Sequence, residues 1–189
     1  MLEPVWHEIE STLRQLYSMP HNQIQLIGRG LSIETEIKRK IEEIRTGSIG
    51  IPQKETFAGA KVFLRVGGHA NRLYSGEWWF DADQFNHLDQ IFSRIYFNSA
   101  NRKTAIRNML REILALSREW NTIQEVWALE LPAGEKLIGY SSIVAPQHLF
   151  ASTPLTDKGN RLLAGRARQI YFPVKNPLWI KEYYQLGTA

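Results

Sequence analysis

The chain has no cysteine among its 189 residues, and this absence excludes several kinds of chemistry. A disulfide framework, a cysteine nucleophile and a thiolate metal site all require a thiol. The five histidines are scattered, and none of them has the H-E-x-x-H or paired spacing that binds zinc. We therefore expect a protein that holds no metal and needs no bound cofactor.

Long apolar runs and nucleotide-binding glycine motifs are also missing. No segment reaches the roughly 18 apolar residues of a membrane-spanning helix, and the acidic start MLEPVWHEIE does not resemble a secretory signal. The glycines at 28–30 and 67–68 do not form a G-x-G-x-x-G fingerprint, and the P-loop pattern does not occur. We expect a soluble protein without membrane contact, cytoplasmic as synthesised, for which any export would follow a non-classical route.

The remaining composition is that of a globular domain. Hydrophobic residues make up 43% of the chain, which is enough for one sizeable core. The formal net charge of +4 permits a phosphate-bearing ligand or weak association with nucleic acid, and by itself it establishes neither.

Hydrophobic periodicity predicts an α+β fold. Helices are expected at 2–19 and 32–46, with Ser32 as the cap of the second, followed by a linker or long loop at 47–59. The other predicted elements are strands at 62–68, 75–81, 124–131, 136–144 and 169–174, a helix beginning after Asp81 with Gln84 at the capping-box position, a helix at 102–119, an irregular stretch at 145–166 and a final segment at 177–186. Residues 1–56 are thus predicted to be a helical N-terminal extension, and residues 57–189 an α+β domain.

Some residues in this pattern are of types that carry chemistry. Arg65 lies in the middle of a strand beside a glycine turn, where it is either a solvent-facing structural arginine or a fixed guanidinium for phosphate or carboxylate. Ser75 and Glu77 share one side of the aromatic strand SGEWWFD. Gly165, Arg166 and Arg168 form a small basic loop that leads into Gln169 at the start of the last aromatic strand.

The order of these motifs resembles the ADP-ribosyltransferase superfamily, and in particular NAD glycohydrolase toxin domains of the necrotizing-toxin type. The matching pieces are FLRVGG, YSGEWWF, ALELPAGEKLIGYSSIVAPQ and AGRARQIYFP. The resemblance covers roughly residues 60–186 apart from the helical insert, and it implies small mixed or antiparallel sheets. It also implies NAD as substrate and cleavage of the nicotinamide–ribose bond, with a neutralising immunity or antitoxin protein as a partner.

The resemblance assigns a role to each matched position. Arg65 would anchor the NAD phosphates, Ser75 and Gly76 would support the nicotinamide ribose, and Gln169 would occupy the catalytic-glutamate position, with Glu77 as a substitute carboxylate. The phosphates would lie against Gly165, Arg166 and Arg168. The aromatic residues available to stack on nicotinamide are Tyr74, Trp78, Trp79 and Phe80.

The absence of an acid from residues 164–173 favours hydrolysis of NAD over ADP-ribosyl transfer to a protein. Two alternatives remain. One is a non-enzymatic module that binds nucleic acid or protein through Lys158, Arg161, Arg166 and Arg168, although acids interleave the other charged clusters and make a nucleic-acid partner less favoured. The other is a catalytically degenerate member of the same fold.

Overall fold

A computed structural model describes residues 3–67, 77–157 and 159–187. Three helices come first, α1 (Pro4–Tyr17), α2 (Pro20–Gly28) and α3 (Ile33–Gly47). In chain order they are followed by β1 (Ser48–Ala58), β2 (Lys61–Gly67), β3 (Trp78–Asp81), α4 (Ala82–Ile95), α5 (Ser99–Ile113), β4 (Glu125–Leu131), β5 (Lys136–Val144), β6 (Gln147–His148), β7 (Leu162–Leu163), β8 (Arg168–Tyr171), a 3-10 helix (Pro177–Trp179) and β9 (Ile180–Gln185). The predicted α+β class is confirmed.

The sheet is antiparallel and contains seven strands in the order β1-β5-β8-β3-β2-β4-β9. Strands β6 and β7 form a separate two-stranded ribbon. Strand β8, predicted from the aromatic run after Gln169, lies between β5 and β3, so its backbone is hydrogen-bonded along both edges.

Helices cover one face of this sheet. Trp78 on β3 and Tyr140 on β5 are both paired with Tyr171 on β8, so the three side chains share a face, and α1 to α3 pack on them. Phe80 lies on the same face two residues further along β3 and packs with Phe85 of α4 and with Ile106 and Leu110 of α5. The opposite face carries an aromatic cluster in which the ring centroids of Phe57, Phe63 and Phe172 are 4.9–5.6 Å apart.

Several sequence predictions agree with these elements. Helices α1 and α3 were predicted within a few residues, and the Ser32 hydroxyl caps α3 by accepting a hydrogen bond from the Thr35 amide at 3.1 Å. Strand β5 has the predicted bounds, Lys136–Val144. Strands β2, β4 and β8 match their predicted positions within a few residues.

Other predictions were wrong. The predicted linker at 47–59 is strand β1, and the stretch at 145–166 contains β6 and β7. Helix α2 was not predicted, and α5 covers Ser99–Ile113 and not 102–119. Asp81 precedes α4 as expected but makes no side-chain capping bond, because its carboxylate is 2.6 Å from the Arg168 guanidinium.

The predicted division into residues 1–56 and 57–189 stays a prediction, although its boundary falls inside β1, which pairs with β5. Within the described residues, none of the helices is long and apolar enough to cross a membrane.

Candidate functional site

The candidate site is a cluster of charged side chains around Glu77, at the end of the sheet where β2 finishes and β3 begins. Glu77 is only 9% exposed. Its backbone oxygen accepts a hydrogen bond from the Phe172 amide at 2.8 Å, so the end of β8 lies beside it. Its carboxylate accepts a hydrogen bond from the Lys40 ammonium at 2.5 Å. A carboxylate removed from water in this way requires a charged partner, and Lys40 supplies one.

Helix α3 brings Lys40 and Glu43 to this cluster. The Glu43 carboxylate accepts hydrogen bonds from Lys40 at 3.2 Å and from the Trp78 ring nitrogen at 3.4 Å. Lys40 is three residues after Ile37 and four before Ile44, both of which are buried, so it lies on the apolar face of the helix. Sequence reasoning missed Lys40 because it treated the helix as part of an extension. The signal for it was a lysine at a core position of an amphipathic helix.

Arg65 and Lys175 add two further positive charges. Burial lowers the pKa of Arg65, and the negative charges of Glu77 and Glu43 oppose that shift. Burial also lowers the pKa of Lys175 to about 8; Glu77 opposes this shift, while Arg65 and Lys40 add to it. These mutual influences indicate that Arg65 and Lys175 lie in the neighbourhood of Glu77. Lys175 follows the end of β8, and its sequence context gave no signal that it belongs to a site.

Tyr171 lies beneath the charged cluster. Its side chain is fully buried, and its ring meets the ring of Trp78 edge to face with 5.2 Å between centroids. Its hydroxyl is buried and lies near the Glu77 carboxylate. Burial raises the pKa of this phenol, and the nearby charges of Glu77 and Glu43 raise it further. Tyr171 is therefore a neutral phenol at neutral pH.

Gln169, predicted as the catalytic residue, is held by the protein itself. Its amide nitrogen donates to the backbone oxygen of Gly47 at 2.7 Å and to the Ser142 hydroxyl at 3.2 Å. It is on the same side of β8 as Tyr171, since the two residues pair with Ser142 and Tyr140 on β5. These contacts use the amide to fix the junction between α3 and β1.

The basic loop lies away from the cluster. Arg168 points to the opposite face of the sheet, where it bonds both oxygens of Glu55 at 2.6 Å and also Asp81. The amide nitrogen of Gly165 donates to the Glu112 oxygen at 2.9 Å, and that of Arg166 to the Val144 oxygen at 3.0 Å. The backbone groups predicted to cradle phosphate thus bind carbonyl oxygens of the chain.

The predicted aromatic residues have different environments. Trp78 borders the charged cluster, whereas Trp79 is 1% exposed in the aromatic cluster on the other face. Phe80 is 2% exposed and packs in the core beneath α4 and α5. Tyr74, Ser75 and Gly76 lie outside the described residues.

A cavity of about 520 Å³ lies elsewhere, between β2, β4 and the 3-10 helix. Lys61, Leu178 and Trp179 line it, together with the ion pair of Lys181 and Glu130, whose nitrogen and oxygen are 2.7 Å apart. Apart from Lys61 and this ion pair its lining is apolar, so it offers fewer groups for chemistry than the Glu77 cluster. In residues 3–67, 77–157 and 159–187 no group of three or more His, Asp or Glu side chains is arranged to hold a metal ion.

The cluster brings together three of the predicted residues, Arg65, Glu77 and Trp78, with three that were not predicted, Lys40, Glu43 and Lys175. Cations in a partly dehydrated site bind phosphate oxygens, an aromatic ring stacks on a planar cationic ring, and a carboxylate stabilises positive charge that develops on a sugar. This combination suits a ligand with a phosphate, a sugar and an aromatic base.

Comparisons with known proteins identify no family for this chain. Neither the protein-family models nor the curated proteins give a match. Among solved structures, the fold is similar to Tne2 in complex with Tni2, with 12% sequence identity and a TM-score of 0.40; the alignment covers 71% of this chain and 88% of that one. A likeness at this level identifies neither a family nor an activity.

Proposed function

We propose that the Glu77 cluster is the active site of an NAD-consuming enzyme or toxin domain, which splits the bond between nicotinamide and ribose. The observation that carries the proposal is that Glu77, buried and ion-paired with Lys40, lies beside the indole of Trp78 and within the electrostatic range of Arg65. Arg65, Glu77 and Trp78 were each predicted from the sequence as parts of an NAD site.

A carboxylate, a cation and an aromatic ring each suit one part of NAD cleavage. When the bond breaks, its electron pair moves to the nicotinamide nitrogen and cancels the positive charge there, while the ribose carbon acquires oxocarbenium character. Water then adds to that carbon and loses a proton, which yields ADP-ribose and nicotinamide. Glu77 would stabilise the developing positive charge, Arg65 would hold the diphosphate, and Trp78 would stack on the nicotinamide ring.

Lys40 would position Glu77. Lys40 also bonds Glu43, and Glu43 accepts a hydrogen bond from the Trp78 indole. The Glu77 carboxylate and the Trp78 indole are therefore both held by side chains of α3. A fixed carboxylate requires less reorganisation as charge develops than one that must first be oriented. The N-terminal helices would then be part of the active site.

The binding-module alternative has less support in the structure. Of its four cations, Arg161 is paired with Glu112 at 2.6 Å, and Arg168 is paired with Glu55 and Asp81. A cation that is already neutralised releases fewer counterions when it meets a phosphate backbone.

The first test is release of nicotinamide from NAD by the full chain, measured by liquid chromatography. We expect Glu77→Gln to lower the rate by about a hundredfold or more, the size of effect seen when one preorganised electrostatic group is removed. Glu130→Gln is the matched control, since Glu130 forms an ion pair with Lys181 but lines the cavity beside the 3-10 helix, away from the Glu77 cluster.

Circular dichroism and urea unfolding would establish that both variants fold. Absence of nicotinamide release from the wild-type protein would overturn the proposal, and so would a folded Glu77→Gln variant with the wild-type rate. NAD labelled in its ADP-ribose part would show whether ADP-ribose is released into solution by hydrolysis or becomes attached to a protein acceptor. The choice of hydrolysis over transfer and the neutralising partner stay predictions.

A further inference from the structure

The turn that joins α4 to α5 exposes a continuous apolar patch. Ile95 is 58% exposed, and Phe97 is 100% exposed, as open to solvent as it would be in an extended chain. Tyr96 between them is 37% exposed, as is Ile91 one helical turn earlier. Single exposed apolar side chains are common on protein surfaces, but a contiguous group of them marks a surface that contacts something else. We call these four residues, Ile91, Ile95, Tyr96 and Phe97, the hairpin tip.

Local hydrogen bonds hold Phe97 away from the rest of the protein. Residues 96–98 are the whole connection between the two helices. The Tyr96 amide ends α4 by donating to the Phe92 oxygen at 2.9 Å. The Asn98 side chain caps α5 by accepting a hydrogen bond from a backbone amide of that helix at 2.8 Å. Because the residues on both sides are fixed, the ring of Phe97 is held in solvent.

The hairpin tip is surrounded by positive charge. Residues 90–111 contain no acidic residue and five basic ones. Two of the five, on the buried face of α5, donate to backbone oxygens, and the other three are Arg94, Arg102 and Lys103. Arg102 lies 3.5 Å from the Asp89 carboxylate, so this pair is neutral. Within the described residues Arg94 and Lys103 form no ion pair, which leaves two uncompensated positive charges beside the tip.

In the part of the chain that the structure describes, neighbouring elements do not cancel this charge. Strand β9 lies beside α5, where the Lys103 ammonium is 5.7 Å from the centre of the Tyr184 ring. The acid of β9, Glu182, pairs with Trp127 and therefore lies on the face of the sheet away from α4 and α5. Asp83 is in the first turn of α4, at the end opposite to the tip. The tip thus combines exposed apolar side chains with net positive charge.

We propose that the hairpin tip docks on a membrane surface rich in anionic lipid, with Phe97 and Ile95 inserted among the acyl chains. Arg94 and Lys103 would lie at the level of the charged headgroups. Tyr96 suits the boundary between the two, because a tyrosine has an apolar ring and a polar hydroxyl. A protein partner would need a pocket shaped for Phe97, whereas a bilayer accepts any apolar side chain that reaches it. Apolar insertion and attraction to anionic lipid add to each other in this kind of binding.

This contact needs no membrane-spanning segment. The sequence predicts no membrane contact because it lacks a long apolar run, but that reasoning applies only to a helix that crosses the bilayer. A tip that enters one leaflet needs only a few exposed apolar side chains. The docking is also independent of the proposed function, since the tip belongs to α4 and α5, whereas the Glu77 carboxylate is held by Lys40 of α3.

The test is sedimentation of the full chain with vesicles made of equal parts of phosphatidylcholine and phosphatidylserine. We expect saturable binding that is at least about tenfold weaker on vesicles of phosphatidylcholine alone, since each basic residue near an anionic surface strengthens binding about fivefold. Arg94→Gln should therefore weaken binding to the mixed vesicles about fivefold. Lys136→Gln, at the exposed start of β5, is the matched control and should leave binding unchanged.

Substitutions of Phe97 test the apolar part of the contact. Phe97→Ser should weaken binding to the mixed vesicles about tenfold, because most of the inserted apolar surface is lost. Phe97→Trp should keep the wild-type affinity, since tryptophan also favours the membrane interface. The control is Leu178→Ser, which removes a side chain that is 90% exposed on the 3-10 helix, beside the cavity. All these side chains are exposed, so each variant should melt at the wild-type temperature.

Two results would overturn the docking of the tip. One is an absence of saturable binding to the mixed vesicles by the wild-type protein, which would favour a protein partner for the tip. The other is equal binding by Phe97→Ser and the wild type, or an equal loss in Phe97→Ser and Leu178→Ser. Nicotinamide release without vesicles should be the same in Phe97→Ser and the wild type, so failure of the docking and failure of the proposed function are read in separate assays.

Discussion

Gln169 occupies a position where replacement of its amide nitrogen by oxygen, as in glutamate, would strongly affect stability. Its amide nitrogen is 2.7 Å from the Gly47 oxygen, at the point where α3 becomes β1, and the residue is 8% exposed. A glutamate at this position, which the family resemblance would make catalytic, could not donate that hydrogen bond while ionised. Its carboxylate would face a carbonyl oxygen in a dry environment.

We therefore expect Gln169→Glu to lower the free energy of unfolding by about 2–3 kcal/mol at neutral pH, and not to increase nicotinamide release. The loss should shrink as pH falls through the raised pKa of the introduced glutamate, because the protonated acid can donate again. Urea unfolding of the variant and the wild type at each pH measures the difference.

Gln147→Glu is the matched control for this prediction. The Gln147 amide also donates to a backbone oxygen, that of Thr46 at 3.1 Å, but in a more exposed setting, so its replacement should cost less than about 1 kcal/mol. If Gln169→Glu proved as mild as Gln147→Glu, the amide would not be the anchor of the junction between α3 and β1.

At the residue scale, the sequence identifies residues of unusual type for their position, but it does not predict which residues lie beside them in space. Arg65, Glu77 and Trp78 stand out because a charge within an apolar strand and a paired tryptophan are unusual in a core, and they do come together. Lys40 and Lys175 are 37 residues before and 98 residues after Glu77 in the sequence. Packing of α3 on the sheet brings Lys40 near Glu77, and pairing of β8 with β3 brings the segment with Lys175 near it. Local spacing in the sequence encodes neither contact.

Strand β1 shows why the element prediction failed at 47–59. Gly50 and Pro52 usually interrupt regular structure, yet both fall in the irregularity between Ile49 and Gln53, where the register with β5 shifts. The strand also lies at the edge of the sheet, where a missing amide hydrogen is tolerated. Helix α5 was predicted too long for a related reason, since it ends at Ile113 without glycine or proline, just before Ala115 takes a positive φ of 45°.

Strand β5 depends on close packing at Gly139. A Cβ atom there would lie 2.5 Å from a ring carbon of Phe172 and 2.7 Å from a methyl carbon of Ile170. We expect Gly139→Ala to lower the free energy of unfolding by about 1–3 kcal/mol, since both neighbours belong to a packed core and cannot move freely. Urea unfolding followed by tryptophan fluorescence would measure it.

Gly28→Ala, at the end of α2, is the control for that experiment. No heavy atom lies within 4 Å of the added Cβ, so this variant should be neutral or slightly stabilising. A Gly139→Ala variant as stable as Gly28→Ala would mean that the packing of β5 on β8 is looser than the structure indicates.

For the molecule as a whole, the N-terminal helices and the sheet share one core. Trp6, Ile9, Leu13, Ile37 and Ile44 are buried in a cluster that also contains Tyr140 and Tyr171. The same helices supply Lys40 and Glu43 to the candidate site. Amphipathic periodicity predicted which faces of these helices are buried, but it does not predict that they pack on β5 and β8 of the sheet.

We expect a fragment of residues 57–189 to lose cooperative unfolding. Burial of the five helix side chains in this cluster contributes on the order of 10 kcal/mol, comparable with the roughly 5–15 kcal/mol that stabilise a typical domain. The fragment also lacks most of β1, which would leave β5 as an edge strand. Far-UV circular dichroism during urea titration would detect the loss, and binding of a hydrophobic dye would detect the exposed sheet face.

Addition of a separate 1–56 chain is the control for this truncation, since it should restore the transition if the missing contacts are the cause. A sharp urea transition in the 57–189 fragment alone would instead support an independent domain with an appended extension. Nicotinamide release from the fragment would be more decisive, because it would mean that Glu77 functions without Lys40 and that the N-terminal helices are no part of the active site. If the helices complete the site, neither folding nor activity survives their removal, and both return with the added chain.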